Sequence, residues 1–335
     1  MKKIAFLFGG RSEEHEVSLA SAASLLPRLL ERGHQVYPIF IDKDGSLYRL
    51  LSADGLKDRA DLGAHLSPAS LIYDGASLYF LSRGERFYPE LFFSALHGGD
   101  GEDGAWQGLF QLSGVPFIGC DLLSSAVCMN KAVAKELVRA AGVPTAHYLT
   151  VRDARDGTLS SVEKLFSYPV FVKPTSSGSS FGASRADERN ALFQAVSAAL
   201  AFGGEVLVEE YIDGEELSVA VLEKDGILSV SPAGKILSNG VFDYEQKYNS
   251  DFDTLLCPAP LPEDEGARIR ELAKTVFRAL RCRHIARIDF FRTRDGRILF
   301  NETNTLPGFT DHSLYPRLLS YAGEDALSLL DGVTL

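Results

Sequence analysis

Two short segments, Arg287-Ile-Asp-Phe-Phe291 and Phe300-Asn-Glu-Thr-Asn304, flank an Asp295-Gly296 dipeptide. Asp-Gly between two such runs is the strongest short-range signal of a β-hairpin. A two-residue turn there pairs Asp289 with Glu302, Arg287 with Asn304, and Phe291 with Phe300. Alternation places all six side chains on one sheet face and Ile288, Phe290 and Asn301 on the other. Two carboxylates directly opposed, roughly 5 Å apart at Cβ, repel and destabilise a hairpin. A hard cation reverses that sign, because carboxylate and amide oxygens are the donors it takes, with Asn304 as a third ligand. The plain alternative is a surface hairpin whose charges point at water. Phe291 and Phe300 argue that the face is partly enclosed, and the pair reads as a Mg²⁺ site.

At 335 residues, the chain is long enough for two or three cores. Its 45% hydrophobic and 24% charged residues are ordinary for a soluble globular protein. A net charge of −11 argues against non-specific binding to nucleic acid or an anionic membrane, leaving room for a local basic cleft. The four cysteines, Cys120, Cys128, Cys257 and Cys282, have no zinc-finger spacing and read as reduced thiols of a cytoplasmic protein. The opening apolar run stops at Gly9-Gly10 and gives way to Arg11-Ser-Glu-Glu-His-Glu16, so no translocation segment is expected. No run reaches bilayer-spanning length.

Lys3–Phe8 reads as a buried strand, Ser18–Arg32 as a helix with Leu19, Ala22, Leu26, Leu29 and Leu30 as its apolar stripe, and Val36–Ile41 as a second strand. This β-loop-α-β start predicts an open parallel sheet. Residues 44–90 are less legible, apart from a turn at Lys43-Asp-Gly45. Leu91–Leu96 (strand), Ala105–Ser113 (helix) and Pro116–Ile118 (strand) close a first domain, 1–120. A helix over 124–142 and strands near 148–151, 169–173 and 182–185 suggest an α+β second domain, 121–212. The strand Glu205–Ile212 leads into a third, 213–335, which holds the hairpin.

Lys173-Pro-Thr-Ser-Ser-Gly-Ser-Ser-Phe-Gly182 lies between two of these strands. Its small residues let backbone N–H groups approach phosphate oxygens, and Lys173 supplies positive charge. It lacks the GxxxxGK[ST] order of a P-loop, and alone it is equally a flexible hairpin. Lys131, early in its helix, is a further phosphate contact or a solvated charge. Asp243-Tyr-Glu-Gln-Lys247-Tyr248, which lacks an apolar period, reads as a lid carrying Lys247 to a phosphate and Tyr248 to a substrate, or as a polar surface loop. Glu209-Glu210-Tyr211-Ile212 and Glu216 lie where the second domain meets the third. That junction could hold an adenine against backbone and a ribose against a carboxylate, or be a solvated strand edge.

Taken together, these blocks resemble the D-alanine–D-alanine ligases of the ATP-grasp superfamily over essentially the whole chain. The matching residues are Gly9-Gly10-x-Ser12-x-Glu14-x-Glu16-Val17-Ser18, His97-Gly98 through Gly101-Glu102-Asp103-Gly104, and Lys173-Pro174 through Gly178-Ser179-Ser180. Tyr244-Glu245-x-Lys247-Tyr248, Arg287-Ile288-Asp289, Glu302-x-Asn304-Thr305-x-Pro307-Gly308 and His312-Ser313-Leu314 complete them. Each block alone is weak; in this order they are specific.

The resemblance implies an α/β chain, α+β in its ATP-binding part: an ATP-grasp fold preceded by an open parallel-sheet N-terminal domain that binds the first D-amino acid. It implies a homodimer that joins two D-alanines for peptidoglycan synthesis, with ATP as co-substrate and two Mg²⁺ ions, or Mn²⁺ in their place. Carried over by position, Asp289, Glu302 and Asn304 hold the ions. Lys131, Lys173 and Lys247 neutralise phosphates, with Ser180 in the phosphate loop and Glu209, Glu210, Tyr211, Ile212 and Glu216 around the nucleoside. Glu14 receives the first ammonium, and Val17 and His97 border that substrate. Arg287 and the Gly308 N–H stabilise the oxyanion. Glu14, Ser179 and Tyr248 match a hydrogen-bonded triad, and Ser313 beside Leu314 grips the second carboxylate.

Related ligases take D-serine or D-lactate second. The D-lactate type generally lacks the lid tyrosine, which is present here as Tyr248, and Leu314 suits a methyl group. Residues 119–129 and 304–310 also resemble the variant ligases, which keeps D-serine open. Asp311 stands where a small residue is usual in the family.

Overall fold

The structure, a computed structural model, describes residues 1–56, 59–75, 77–237 and 255–332. Strand Lys3–Gly9, buried beyond its first residue, is flanked in parallel by Gln35–Ile41 and Leu91–Ser94, with Phe117–Ile118 outside the latter. Parallel strands covered on both faces read as continuous apolar runs, as these do. The stretch that was hard to read supplies two antiparallel edge strands, Leu47–Leu50 and Leu66–Pro68, and a separate three-stranded sheet over residues 70–87. The turn at Lys43-Asp-Gly45 forms, with Gly45 at φ +88.

The first helix begins at His15, three residues earlier than the apolar stripe suggests, and runs to Glu31. Leu25 joins Leu19, Ala22, Leu26 and Leu29 in the core, whereas Leu30 is 46% exposed and leaves the expected stripe. Glu14 becomes the N-cap residue, yet its side chain makes no cap hydrogen bond and is directed elsewhere.

The expected helix over 124–142 is two helices, Leu122–Met129 and Lys131–Ala140. Asn130 separates them by accepting the Ala132 and Val133 N–H groups on its Oδ1, each at 3.1 Å, which restarts the helix at Lys131. Both helices pack with Glu263–Ala279 against the C-terminal sheet, sharing a core with Val219, Ile288, Phe290 and Phe300. A four-stranded antiparallel sheet follows, in the order Tyr148–Val151, Val206–Glu210, Val170–Pro174, Ser184–Ala186. Its apolar face is covered by Asp156–Leu165 and Arg189–Leu200. The chain then crosses through Tyr211–Asp213 into Gly214–Lys224, a strand of the C-terminal sheet that pairs along its length with Ile285–Thr293.

The hairpin corrects one expectation. Its loop is one residue longer than two, with the Thr293 N–H donating to the Arg297 carbonyl (2.9 Å) and Gly296 at φ +80. Phe291 therefore opposes Leu299, and Phe290 opposes Phe300. A bulge at Asn301 then restores the register, so Asp289 does face Glu302 and Arg287 does face Asn304. Phe300 packs edge-on against Phe290 in the core, with ring centroids 6.3 Å apart, instead of sharing the carboxylate face. Among the described residues, no helix is long and apolar enough to cross a membrane.

Candidate active site

A cavity of about 540 Å³ separates the four-stranded sheet from the C-terminal sheet. Its size suits a nucleotide or a drug-sized ligand. Lys131, Lys173, Ser179, Ser180, Glu209, Glu210, Tyr211, Ile212, Glu216 and Glu302 all line it. The crossing segment Tyr211–Asp213 forms one wall because the chain must pass there from one sheet to the other.

The loop after Lys173 is held by the restarted helix. The Lys131 N–H donates to the Thr175 carbonyl at 2.8 Å, and Lys131 Nζ donates to the Ser177 carbonyl at 2.5 Å. Ser179 and Ser180 both adopt left-handed φ values, +47 and +60. Such values cost energy in a non-glycine residue and mark a loop shaped for contact. The Ser179 hydroxyl donates to Glu14 Oε1, joining the N-terminal sheet to the serine loop. Two glycines make room for that carboxylate. A Cβ on Gly98 would overlap Glu14 Oε2, and one on Gly178 would stand 3.3 Å from it.

Below the cavity lies a buried ion network. Glu209 sits between Lys135 and Lys173, 2.9 Å from each ammonium. Lys173 Nζ also donates to Asn301 Oδ1 at 2.9 Å, and Lys135 Nζ donates to the Phe300 carbonyl at 3.3 Å. Burial alone pushes the Glu209 carboxyl up, but Lys135 and Lys173 more than offset it and hold it below the usual carboxylate range. Burial pushes Lys135 down to about 8 against the pull of Glu209. Glu209, itself on the cavity wall, is thus a buried counter-ion shared by Lys135 and Lys173.

Asp289 is buried at the base of the hairpin. Arg287 grips both its oxygens (Nε–Oδ1 3.0 Å, Nη2–Oδ2 2.9 Å), the Ser218 hydroxyl donates to Oδ1, and Asn304 Nδ2 donates to Oδ2 at 3.1 Å. Arg287 and Asp289 are two apart on one strand and so share a face. Glu302 lines the cavity with Oε2 3.7 Å from Lys131 Nζ. Among the described residues, no cluster of three His, Cys, Asp or Glu side chains forms a metal site. The donors here are two opposed carboxylates and an amide, hard oxygens that suit a divalent cation next to phosphate. All four lone-pair sites of Asp289 already accept hydrogen bonds, so coordination by Asp289 requires Arg287, Ser218 or Asn304 to yield.

A second group of predicted residues meets at the N-terminal sheet. His97 is buried, its Nδ1 3.0 Å from the Leu306 carbonyl and its Nε2 2.8 Å from Ser21 Oγ. A carbonyl only accepts, so Nδ1 carries a hydrogen. Val17 is buried in the first turn of the helix below. Ser313 precedes helix Leu314–Ser320 without capping it; its Oγ accepts the Thr310 N–H at 3.1 Å and lies 2.8 Å from Thr310 Oγ1. A Cβ on Gly308 would meet Ser313 Oγ at 2.7 Å, so only glycine fits there without displacing Ser313. Leu314 is buried, and Asp311 is exposed. Lys247 and Tyr248 lie outside the described residues.

Sequence reasoning missed Lys135, Ser218 and Asn301. Lys135 carried a signal: it stands one turn after Lys131, on the face that buries Ala132 and Val138. Simple alternation puts Asn301 on the opposite face, and the bulge, which has no local signature here, brings it to the cavity. Ser218 had none.

A nucleotide-sized cleft between two antiparallel sheets, with a small-residue loop on one and opposed carboxylates on the other, defines an ATP-grasp fold. Profiles described as the D-ala D-ala ligase N-terminus and C-terminus match residues 3–120 and 137–333. D-alanine–D-alanine ligase A of Mesorhizobium japonicum is 39% identical, covering 98% of this chain and 95% of its own length. A putative D-alanine–D-lactate ligase of Streptomyces coelicolor is 38% identical, covering 98% and 95%. The crystal structure of the VanG D-Ala:D-Ser ligase from Enterococcus faecalis aligns with a TM-score of 0.88 at 37% identity, covering 99% of this chain and 98% of that one. The chain belongs to the D-alanine–D-alanine ligase family.

Proposed function

We propose that this protein joins two D-alanines to D-alanyl-D-alanine at the expense of ATP. The observation that carries the reading is convergence: Lys131, Lys173, the serine loop and Glu302 line one cavity, and Ser179 ties that cavity to Glu14. Lys131, Lys173 and, from the lid, Lys247 take the triphosphate, while Tyr211, Ile212 and Glu216 take the nucleoside. A carboxylate oxygen of the first D-alanine attacks the γ-phosphorus and ADP leaves. The amine of the second attacks the acyl carbon of the resulting acyl phosphate, loses a proton, and phosphate departs. Glu14 holds the first ammonium, with Val17 and His97 beside it. Arg287 and the Gly308 N–H face the oxyanion, where preorganised donors act most strongly. Glu14, Ser179 and Tyr248 pass on the proton, and Ser313 binds the second carboxylate beside Leu314.

Asp289, Glu302 and Asn304 would hold the divalent ions, two Mg²⁺ or Mn²⁺, whose contribution is charge neutralisation at the phosphates. The reading includes three domains (1–120, 121–212, 213–335), a homodimer, a cytoplasmic location and a place in peptidoglycan precursor synthesis. A second reading, D-alanine–D-serine ligation, draws support from the likeness to the VanG D-Ala:D-Ser ligase. Buried Leu314 favours a methyl group and so D-alanine.

Phosphate release from ATP with D-alanine alone, then with D-alanine plus D-serine or D-lactate, tests the reading. D-alanine alone should suffice. Asp289→Asn and Glu302→Gln should each lose at least about two orders of magnitude of turnover. Near-wild-type rates in both would overturn the metal assignment, and no turnover with any pair would overturn the ligase reading.

A further inference from the structure

Lys135 has no place in the chemistry just described, yet it is a charged side chain with 0% exposure, and it does not line the cavity. A buried ammonium is costly unless paired and hydrogen-bonded. Lys135 meets that condition with Glu209 at 2.9 Å, the Phe300 carbonyl at 3.3 Å and the Phe300 ring face at 5.9 Å. Glu209 in turn contacts Lys173, the cation that does line the cavity and that also binds Asn301. Helix, four-stranded sheet and hairpin each contribute a member to this chain of contacts.

We infer that Lys135 is a positioning residue for nucleotide binding: by sharing the charge of Glu209 it keeps the Lys173 ammonium available to a phosphate of the bound nucleotide. One carboxylate between two ammoniums leaves the trio with a net positive charge at the floor of the cleft. Without Lys135, Glu209 and Lys173 form a closed neutral pair. The carboxylate then competes with the phosphate for Lys173, and the low dielectric strengthens that competition. The helix explains the spacing: Lys131 and Lys135 are one turn apart, so one reaches the loop and the other reaches beneath it.

The inference rests on the nucleotide reading of the cavity, and its test separates the two. Binding of a non-hydrolysable ATP analogue with Mg²⁺ is measured by calorimetry on the full chain, independently of turnover. Lys135→Met should weaken binding about tenfold or more and raise KM for ATP while leaving KM for D-alanine within about twofold. Because Lys135 acts through Glu209, adding Lys135→Met to Glu209→Gln should change the dissociation constant by less than about twofold. That comparison also serves if Lys135→Met alone fails to fold, since the double variant carries no unpaired carboxylate. Unchanged analogue binding in folded Lys135→Met, or an equal loss in both backgrounds, overturns the inference. A wild-type chain that binds no analogue overturns the nucleotide reading itself.

Discussion

Gly98→Ala should damage first-substrate binding as well as stability, and the two losses can be measured separately. Gly98 stands at φ +66 and ψ 170, a region essentially reserved for glycine, where a side chain costs about 1–3 kcal/mol. The added Cβ also overlaps Glu14 Oε2, and the carboxylate has little room to retreat, because Gly178 stands behind it and the Ser179 hydroxyl holds Oε1. Glu14 must then surrender the Ser179 bond or swing from the position proposed for the substrate ammonium. A hydrogen bond to a charged group is worth about 1.5–3 kcal/mol, which corresponds to roughly a ten- to hundredfold rise in KM for the first D-alanine. Gly99→Ala is the control. Gly99 also has a positive φ, +50, but its Cβ would meet Ser12 Cβ at 3.3 Å and leave the Glu14 carboxylate alone. Phosphate release against D-alanine concentration, with urea unfolding of each variant, separates the effects. Equal KM values in the two variants would show that displacement of the Glu14 carboxylate does not govern this corner of the site.

Two further measurements probe the buried groups. Burial pushes Lys135 down to about 8 from the ordinary 10.5. Its folded pKa is depressed, so between those values the folded chain binds fewer protons than the unfolded one, and the contribution of Lys135 to stability rises with pH. The urea-midpoint difference between wild type and Lys135→Met should therefore grow from about pH 7.5 to about pH 9.5; a flat or shrinking difference refutes the placement of that ammonium. Cys120, Cys128, Cys257 and Cys282 are all buried, and burial pushes the Cys120 thiol up and Cys257 to about 11. An aromatic disulfide reagent near neutral pH should label none of the four in the native protein and all of them after denaturation. Rapid native labelling of any one would contradict its burial.

The hairpin shows how far local sequence carries. Asp295-Gly296 locates the turn, and the pairing of Asp289 with Glu302 follows, yet two departures lie between turn and pair. The loop is a residue longer than the dipeptide suggests, and the Asn301 bulge restores the register before the carboxylates are reached. Nothing in residues 285–304 announces that bulge. Its partners are remote: Lys173 binds the Asn301 side chain across 128 residues of sequence, Lys135 binds the Phe300 carbonyl, and the Phe300 N–H donates to the Pro144 carbonyl at 2.8 Å. A bulge held by long-range contacts is invisible to pattern reasoning, which sees turn chemistry and alternation only. The same limit hid the edge strands of residues 44–90, where short, mixed segments gain order by pairing with a sheet already formed.

The contact between Glu14 and Ser179 marks the other boundary. In sequence these residues are 165 apart, and each has a plain local explanation, one as an acidic residue at a helix start, the other as part of a flexible loop. The helix-start explanation is incomplete, since Glu14 stands at the N-cap, makes no cap bond and turns its carboxylate to Ser179. The flexible-loop explanation fails on backbone, since Ser179 and Ser180 are both held at positive φ. A carboxylate withheld from its own helix and a loop held in strained backbone meet where Gly98 and Gly178 leave space. Neither element gains a local hydrogen bond from this, so local capping does not account for the arrangement. Joining the N-terminal sheet to the roof of the nucleotide cleft does account for it, because the ligation proposed here needs the amino acid and the γ-phosphate to share one enclosure.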